Sequence, residues 1–385
     1  MNRHGAGHLR SGSLPTPSGA SYAAVPPHAG RRSPLGSLLD RLSQPLPIDA
    51  YRTLVNPLWA RDRRGVIEAV TPITPDACAI TIRTNRAWPR HDAGQFVTIG
   101  VEIDGVRHHR CYSLTSVGDR SGSQLIEIAV QRVPGGPVST HLTSAARIGD
   151  LVHLSGPDGD FTLPSFVPDR LLLISGGSGV TPLVGIVRTL ASRPPHSDVV
   201  VVHHAPTAER TMFSAELTRL AARHDWLTVH LVHTRDGGAR LDPARLDDLC
   251  PDWADRETFV CGPTPLIEFV TDHWDAAGAL ERLHLERFTL DLPAPADPAT
   301  GDTVTATFAT TGSIATAPVG ATLLATAEAA GIDAPYGCRT GVCHTCSTRL
   351  VLGCTTDVRD GRISEAGTHV QLCVSTPLTD VALDL

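Results

Sequence analysis

The sequence contains no lysine, so all 33 of its basic residues are arginine. This absence excludes the phosphate-binding P-loop, whose GK[ST] motif needs a lysine. It also excludes any Schiff-base mechanism that depends on a lysine amine. No apolar run reaches the roughly 18 residues that a helix needs to cross a bilayer. A formal charge of −7 argues against a nucleic-acid-binding protein, because neutralising phosphates needs a basic surface.

The first 34 residues lack the apolar core of a secretory signal and contain no acidic residue. Their composition, rich in Pro, Gly and Ser, predicts a disordered tail. Residues 35–62 carry leucines at helical spacings, interrupted by Pro45 and Pro47, and predict a helical arm. Nine cysteines, an odd number, predict a reducing cytoplasmic location in which clustered thiols bind metal rather than form disulfides.

Three regions of different hydrophobic pattern follow the arm. Residues 63–166 contain alternating, β-branched runs separated by turns, which predict a small antiparallel β-barrel. Residues 167–290 alternate apolar strands with helical stretches, the βαβ pattern of an α/β doubly wound parallel sheet. Residues 291–302, rich in Pro, Ala and Asp, predict a linker. Residues 303–385 are predicted to form a smaller α+β domain of short strands with one helix.

Four cysteines of the last region have a distinctive spacing. Cys338, Cys343 and Cys346 follow the pattern C-x4-C-x2-C, and Cys373 lies much later in the chain. A zinc site more often has two C-x2-C pairs, and a redox dithiol would leave two cysteines without a role. The spacing is that of plant-type [2Fe–2S] ferredoxins. We therefore predict that these four thiolates are metal ligands, with Gly341 allowing the loop backbone to approach the sulfides.

A motif in the alternating region, HHRCYSLTS, contains R-x-Y-S at Arg110, Tyr112 and Ser113. This motif resembles that of the ferredoxin reductase superfamily. The resemblance implies that the arginine meets a flavin phosphate and that the tyrosine packs on the isoalloxazine ring. It also implies that the serine hydroxyl lies near flavin N5, which makes Ser113 a candidate catalytic residue.

The stretch VPGGPVSTHL follows and resembles the phosphate-binding turn of the same family. In that turn backbone amides at a helix N-terminus face a pyrophosphate. The residues that the resemblance implies as cofactor ligands are Gly135, Gly136, Ser139 and Thr140. The turn suggests a pyrophosphate, and the later loop GPDGDF, from Gly156 to Phe161, resembles the loop preceding the adenine side in FAD-binding members of the family. The resemblance therefore implies FAD rather than FMN.

Two further motifs predict a nicotinamide site. A G-x-G-x-x-P sequence lies between a predicted strand and a helix, where glycines let a nucleotide pyrophosphate reach the helix N-terminus. Its final proline resembles the reductase superfamily, as does the later C-G-P motif. The residues concerned are Gly177, Gly179, Thr181 and Pro182 in the first motif and Cys261, Gly262 and Pro263 in the second. The resemblance implies that Cys261 faces the nicotinamide ring and, with Ser113, shapes the hydride-transfer contact.

The residues that follow the predicted strand DVVVVHH bear on the choice between NADH and NADPH. No Asp or Glu directly follows that strand to bind a ribose 2′-hydroxyl. The family's NADPH-using members commonly have a serine or arginine there, whereas this chain has Ala205 and Pro206. Arg210 and Arg235 are the remaining candidates for binding a 2′-phosphate. We therefore expect NADPH, with NADH as the alternative.

The motifs together span residues 64–385 and resemble three-domain flavin reductases whose C-terminal ferredoxin domain has a β-grasp fold. Within that group the chain resembles the bacterial reductases that serve membrane-bound acyl-CoA desaturases, a resemblance carried by LPIDAYRTLVNPLW and HLERF. It implies electron transfer from NADPH through FAD and a [2Fe–2S] cluster to a di-iron desaturase, with the basic tail favouring peripheral membrane association. The alternatives are a reductase for a soluble oxygenase or hydroxylase, and a non-enzymatic redox sensor.

Overall fold

The computed structural model describes residue 58 and residues 62–118, 124–193, 197–288, 303–318, 320–337, 339–341, 344–359 and 361–385. The predicted tail, almost all of the helical arm and the linker lie outside these residues, as do Cys338 and Cys343. Within the described part, no helix is both long enough and apolar enough to span a membrane.

The first domain is built from six strands and one helix: β1 (Arg64–Thr74), β2 (Ala77–Thr84), β3 (Phe96–Ile103), β4 (Val106–Ser113), β5 (Leu125–Gln131), α1 (Pro137–Ser144) and β6 (Leu151–Leu154). The strands form an antiparallel sheet in the order β4-β3-β6-β1-β2-β5. Leu114, directly after β4, pairs with Ile128 of β5, so the two edges of the sheet meet. Alternate residues such as Ile80 and Ile99 are fully buried inside. The predicted antiparallel barrel is confirmed.

The second domain contains five strands and four helices: β7 (Arg170–Gly176), α2 (Val180–Ala191), β8 (Asp198–Ala205), α3 (Ser214–Ala221), β9 (Leu227–His233), α4 (Pro243–Leu249), β10 (Glu257–Cys261), α5 (Thr264–Ala276) and β11 (Leu283–Glu286). All strand pairs are parallel, and their order is β11-β10-β7-β8-β9. The chain order reverses between β7 and β10, where a doubly wound sheet opens a ligand crevice at the carboxyl ends of its strands. This confirms the predicted doubly wound domain.

The third domain has eight strands and one helix: β12 (Thr303–Phe308), β13 (Ser313–Pro318), α6 (Leu323–Ala329), β14 (Ser347–Leu352), β15 (Cys354–Asp357), β16 (Ile363–Glu365), β17 (His369–Gln371), β18 (Ser375–Pro377) and β19 (Val381–Leu383). A five-stranded sheet runs in the order β13-β12-β19-β14-β17, beside a three-stranded sheet β16-β15-β18. Thr322 caps the helix by accepting a hydrogen bond from Ala325 N at 3.2 Å. Leu323 and Leu324 bury the helix against the sheet, as in the predicted β-grasp domain.

Candidate functional site

The two nicotinamide motifs lie at the crevice between β7 and β10. Gly177–Gly179 forms a 3-10 turn directly after β7, and Cys261 ends β10. The two loops pack so closely that a Cβ on Gly179 would lie 2.1 Å from the carbonyl oxygen of Cys261. Only glycine fits at this contact without moving the backbone. The structure therefore brings the G-x-G-x-x-P and C-G-P motifs together at the predicted edge of the sheet.

Cys261 sits between two polar neighbours in the register of the sheet. It pairs with Ser175 of β7 on one side and with Glu286 of β11 on the other. Cys261 is fully buried, and this burial, together with the charge of Glu286, raises the pKa of its thiol well above the usual range. The residue is therefore a neutral thiol at physiological pH.

Glu286 is a functional candidate that the sequence motifs did not identify. The residue is half-buried, but its Oε2 is enclosed and has no hydrogen-bond partner among the described residues. Burial raises the pKa of this carboxyl to about 8. Glu286 is therefore largely protonated at neutral pH and presents a proton donor beside Cys261. The only sequence signal was its place in HLERF, which had supported the family resemblance without assigning a role.

The flavin motif lies at the end of β4. Ser113 is 3% exposed, and its Oγ has no hydrogen-bond partner within the described part of the chain. A buried hydroxyl without a partner is costly unless a ligand atom completes its hydrogen bonding. Tyr112, the preceding residue, is half-buried and packs against the barrel core. Both observations fit a flavin ring placed against this strand.

The glycine turn before α1 borders a cavity of about 420 Å³. The lining residues are Ile103, Gly135, Gly136, Pro137, Thr140, His141, Ser144 and Ala145. Because the first N–H groups of a helix have no partners within the helix, this end can bind a phosphate. Ser139 has a different role: its Oγ accepts a hydrogen bond from Val133 N at 3.1 Å and donates to Gly136 O at 3.2 Å. Its hydroxyl shapes the turn, and Thr140 lines the cavity.

Arg188 joins the flavin barrel to the nucleotide domain, a contact that the sequence did not reveal. From α2 it donates to Thr115 O at 2.9 Å, two residues after Ser113. It also pairs with Glu127 of β5 at 2.5 Å and with Glu216 of α3 at 2.7 Å. These bonds fix α2, whose N-terminus carries the nicotinamide motif, against the segment that follows the flavin motif.

Within the nicotinamide loop, Thr181 and Pro182 belong to the first turn of α2. The Thr181 hydroxyl donates to Ser178 O at 3.0 Å and so stiffens the turn itself. The two candidate 2′-phosphate ligands lie at the neighbouring strand ends. Arg235 is exposed, and its backbone N–H donates to Pro206 O at 2.8 Å, while the Arg210 guanidinium lies 4.0 Å from Asp76 of the barrel. Both arginines therefore follow strands at the same edge of the sheet.

The segment between α6 and β14 carries the first three predicted cluster ligands and is called the cluster loop. Its described residues have an unusual backbone. Arg339, Gly341 and His344 have φ angles of 62°, 77° and 54°, in the left-handed region that residues other than glycine rarely adopt. A Cβ on Gly341 would lie 2.5 Å from the guanidinium of Arg359. Gly341 is therefore required by its own conformation and by this close contact, in addition to the predicted approach to the sulfides.

Two side chains outside the loop fix its carbonyl groups. Arg359 Nη1 and Gln371 Nε2 both donate to Gly341 O at 2.7 Å. Arg359 also forms an ion pair with the buried Asp357 at 2.7 Å. Gln371 lies two residues before Cys373. The loop and the distant cysteine are therefore linked through one acceptor oxygen.

Two of the four predicted ligands, Cys346 and Cys373, are described, and the structure brings them together. They are 1% and 3% exposed and belong to the same buried cluster of side chains. Leu372 N, next to Cys373, donates to Cys346 O at 3.2 Å. Among the described residues no larger group of metal-binding side chains is gathered. The donor set, in which the two described thiols are buried side by side, suits an iron–sulfur cluster.

Comparisons with known families agree with this division into three domains. Residues 66–163 match the oxidoreductase FAD-binding domain, and residues 173–272 match the oxidoreductase NAD-binding domain. Residues 308–378 match the 2Fe-2S iron-sulfur cluster binding domain. The three matches follow the order predicted from the motifs.

Similar proteins extend over most of the chain. An NADPH oxidoreductase of Mycobacterium tuberculosis is 40% identical over 354 residues, which cover 91% of this chain and 92% of that protein. The chain belongs to the ferredoxin reductase superfamily. A glycine betaine monooxygenase reductase subunit of Pseudomonas aeruginosa is 31% identical over 318 residues, covering 76% and 86% of the two chains. The structure of a phthalate dioxygenase reductase shares the fold, with a TM-score of 0.56 and 24% identity, over 84% of this chain and 97% of that one.

This reductase is therefore an oxidoreductase with FAD, NAD(P) and [2Fe–2S] domains, as predicted. FAD, when bound, accepts a hydride from the nicotinamide and releases its two electrons one at a time. Ser113 and Glu286 each present an enclosed side-chain oxygen with no partner among the described residues, and Arg188 bonds the nucleotide domain to the flavin barrel. The roles of individual residues in cofactor binding stay predictions.

Proposed function

We propose that this reductase is the electron-supplying component of a multi-component oxygenase and takes its electrons from NADPH. The supporting observation is the likeness over more than three quarters of the chain to reductase subunits of monooxygenases. A stachydrine N-demethylase reductase subunit of Rhizobium meliloti is also 27% identical over 82% of this chain. The proposal differs from the desaturase partner predicted from the sequence and adopts the alternative stated there.

The layout of the three domains supports this role. In this role hydride would enter at the crevice between β7 and β10 of the middle domain, and single electrons would leave from the cluster loop of the C-terminal domain. This sequence of cofactors takes two electrons together from the nucleotide and passes them on one at a time. An oxygenase that activates O₂ on a metal centre needs electrons in this form.

Reconstitution with a terminal oxygenase tests the proposal. Soluble terminal oxygenases from the source organism should form product only when this reductase and NADPH are both present, with product equal to NADPH consumed. A Cys354→Ser variant, altered at a half-buried cysteine outside the cluster spacing, serves as the matched control and should support the same rate. Failure with every soluble oxygenase, despite normal reduction of cytochrome c, would remove this proposal.

A membrane-bound acyl-CoA desaturase is the second candidate partner. The support for it is the sequence resemblance carried by LPIDAYRTLVNPLW and HLERF, both of which lie outside the three matched domains. Deleting residues 1–30 should then lower desaturation in reconstituted membranes, most strongly at low salt, and leave ferricyanide reduction unchanged. Equal desaturation by both forms at every salt concentration would exclude a membrane role for the tail.

The preference for NADPH rests on the loops after β8 and β9. The first loop offers Ala205 and Pro206 in place of an acidic residue, and Arg235 from the second loop lies beside it, since its N–H bonds to Pro206 O. An arginine at this edge can bind a 2′-phosphate, whereas an acidic residue would repel it. Arg235→Ala should raise the KM for NADPH about tenfold and leave the KM for NADH unchanged. An equal change for both nucleotides would contradict this assignment.

A further inference from the structure

The cluster loop of the ferredoxin domain contacts the flavin-motif strand directly. Arg110 of β4 donates from Nη1 to the carbonyl oxygen of Gly337 at 3.0 Å. The guanidinium carbon of Arg110 also lies 5.6 Å from the centre of the Tyr336 ring. These residues are 227 positions apart in the chain, and Gly337 directly precedes the predicted ligand Cys338. One hydrogen bond therefore connects the flavin motif to the residue that directly precedes the predicted ligand Cys338.

Tyr336 is firmly part of the ferredoxin domain. Its ring packs against the buried cluster of side chains that contains Cys346 and Cys373. Arg339 stacks on the same ring, with its guanidinium carbon 4.1 Å from the ring centre, and Arg339 is ion-paired with Glu328 of α6. Contacts within the ferredoxin domain therefore orient the ring independently of Arg110.

The contact on the flavin side is equally constrained. Arg110 is half-buried, and the same Nη1 that reaches Gly337 also donates to His109 O at 2.7 Å. The acceptor, Gly337, is buried. A hydrogen bond from a charged donor to a buried carbonyl is stronger than a neutral one, and a partly desolvated guanidinium over a tyrosine ring adds a cation–π attraction.

We propose that Arg110 and Tyr336 are positioning residues that dock the cluster loop on the flavin barrel and thereby set the rate of electron transfer from flavin to cluster. For each electron the cluster gains, the reduced flavin is oxidised by one electron. The cluster holds one electron at a time, so it passes the first to an external acceptor before it takes the second. Two such transfers consume the two electrons of one hydride, and the accompanying proton is released to water. The docking contact fixes the distance between flavin and cluster over which each electron is transferred. On the flavin side the contact comes from β4, the strand that ends in Ser113.

Substitution at Tyr336 tests the proposal without altering the flavin or nicotinamide motifs. Tyr336→Leu removes the ring, whereas Tyr336→Phe keeps the ring face for Arg110 and serves as the matched control. Hydrogen exchange should show protection of β4 and of residues 334–341 falling about tenfold in Tyr336→Leu, the change expected from losing a cation–π contact of ~1.4 kcal/mol. Tyr336→Phe keeps the ring but loses the hydroxyl that Arg339 contacts, so in this variant the protection of β4 is the readout and should stay as in the native chain.

Rapid-mixing spectroscopy supplies the second measurement. In Tyr336→Leu, bleaching of the cluster after flavin reduction should slow by about tenfold, whereas flavin reduction by NADPH and steady-state ferricyanide reduction stay unchanged. Iron and sulfide analysis establishes that the variant contains its cluster. Unchanged exchange protection together with an unchanged bleaching rate would overturn the proposal.

A double-mutant cycle tests whether the two residues form one contact, with the four proteins compared at matched flavin and iron content. Hydrogen exchange is measured on the native chain, Arg110→Gln, Tyr336→Leu and the double variant. If the two residues form one docking contact, the second substitution should lower protection of residues 334–341 much less in the presence of the first. Strictly additive losses of protection would show that the two side chains act separately and would refute the docking contact.

Discussion

The nicotinamide edge of the parallel sheet and the cluster loop of the ferredoxin domain are positioned by different kinds of contact. At the sheet edge, strand register places Ser175, Cys261 and Glu286 side by side. The described residues of the cluster loop form no such ladder, and the backbone takes left-handed angles at Arg339 and His344. Side chains from other segments bind its carbonyl groups instead. A site built on register needs few special residues, whereas a site built on a strained loop depends on each supporting side chain.

The largest effect is expected from removing a cluster ligand. Cys373→Ser should lower cytochrome c reduction by about a hundredfold or more, because a [2Fe–2S] cluster needs all four thiolates. Ferricyanide reduction by the flavin should stay largely intact, since the cluster lies downstream of hydride transfer. Steady-state rates of cytochrome c reduction and of ferricyanide reduction measure the difference, and Cys354→Ser is the control. Equal loss of both activities with flavin still bound would contradict the electron order.

At the sheet edge, Gly179→Ala tests whether close packing of two loops matters as much as register. The new Cβ would lie 2.1 Å from Cys261 O, so the backbone must move. We expect flavin reduction by NADPH to slow about tenfold to a hundredfold, because displacing a reacting group by an ångström has effects of this size. Rapid mixing with NADPH measures the rate. Flavin content should stay normal, and an unchanged rate would show that the two loops are not required to touch.

Arg359→Met tests the side-chain support of the cluster loop. The substitution leaves Asp357 without its ionic partner and removes one of two donors to Gly341 O, so we expect a loss of about 1–3 kcal/mol in the free energy of unfolding. Chelators should remove iron faster, and the cluster's reduction potential should fall because a positive charge is lost nearby. Denaturation and spectroelectrochemistry measure these changes.

The control for this variant is Arg349→Met, which removes an exposed arginine of the same domain. It should change neither iron release nor potential measurably. If both variants behave alike, net charge rather than the contact with Gly341 governs the loop.

The smallest effect concerns Glu286 and is visible as a dependence on pH. Its pKa is raised by burial from 4.5 to about 8, so between these values the folded chain keeps a proton that the unfolded chain has lost. Stability must therefore fall as pH rises from about 4.5 to 8. Glu286→Gln should remove this decline and gain about 1–2 kcal/mol relative to the native chain at pH 8, a value reduced for partial exposure. Urea denaturation at pH 5.5 and pH 8 measures it.

Glu281→Gln, at an exposed carboxyl in the 3-10 turn directly before β11, is the matched control for this prediction. It should leave the pH slope unchanged. A native slope that persists in Glu286→Gln would show that the Glu286 carboxyl is ionised in the folded state, and its role as a neutral proton donor beside Cys261 would be lost.

Local patterns were sufficient to predict most of the fold. Alternating β-branched runs predicted the barrel strands, and the βαβ pattern predicted the parallel sheet, because side-chain period is fixed by local backbone geometry. Helix α4 was missed, since Pro243–Leu249 is short and mostly exposed and so has little periodic signal. For the last domain the sequence predicted short strands but did not give the positions of β15 to β18.

The candidate site divides along the same line. The sequence by itself determined the cofactor classes, because spacings such as C-x4-C-x2-C and G-x-G-x-x-P are dictated by the backbone of one loop. Only the tertiary structure decided that Glu286 lies beside Cys261, that Arg359 binds Gly341 O and that Arg110 reaches Gly337 O. Each of these pairs joins separate segments, so strand register and domain docking, rather than any local pattern, determine which side chains meet.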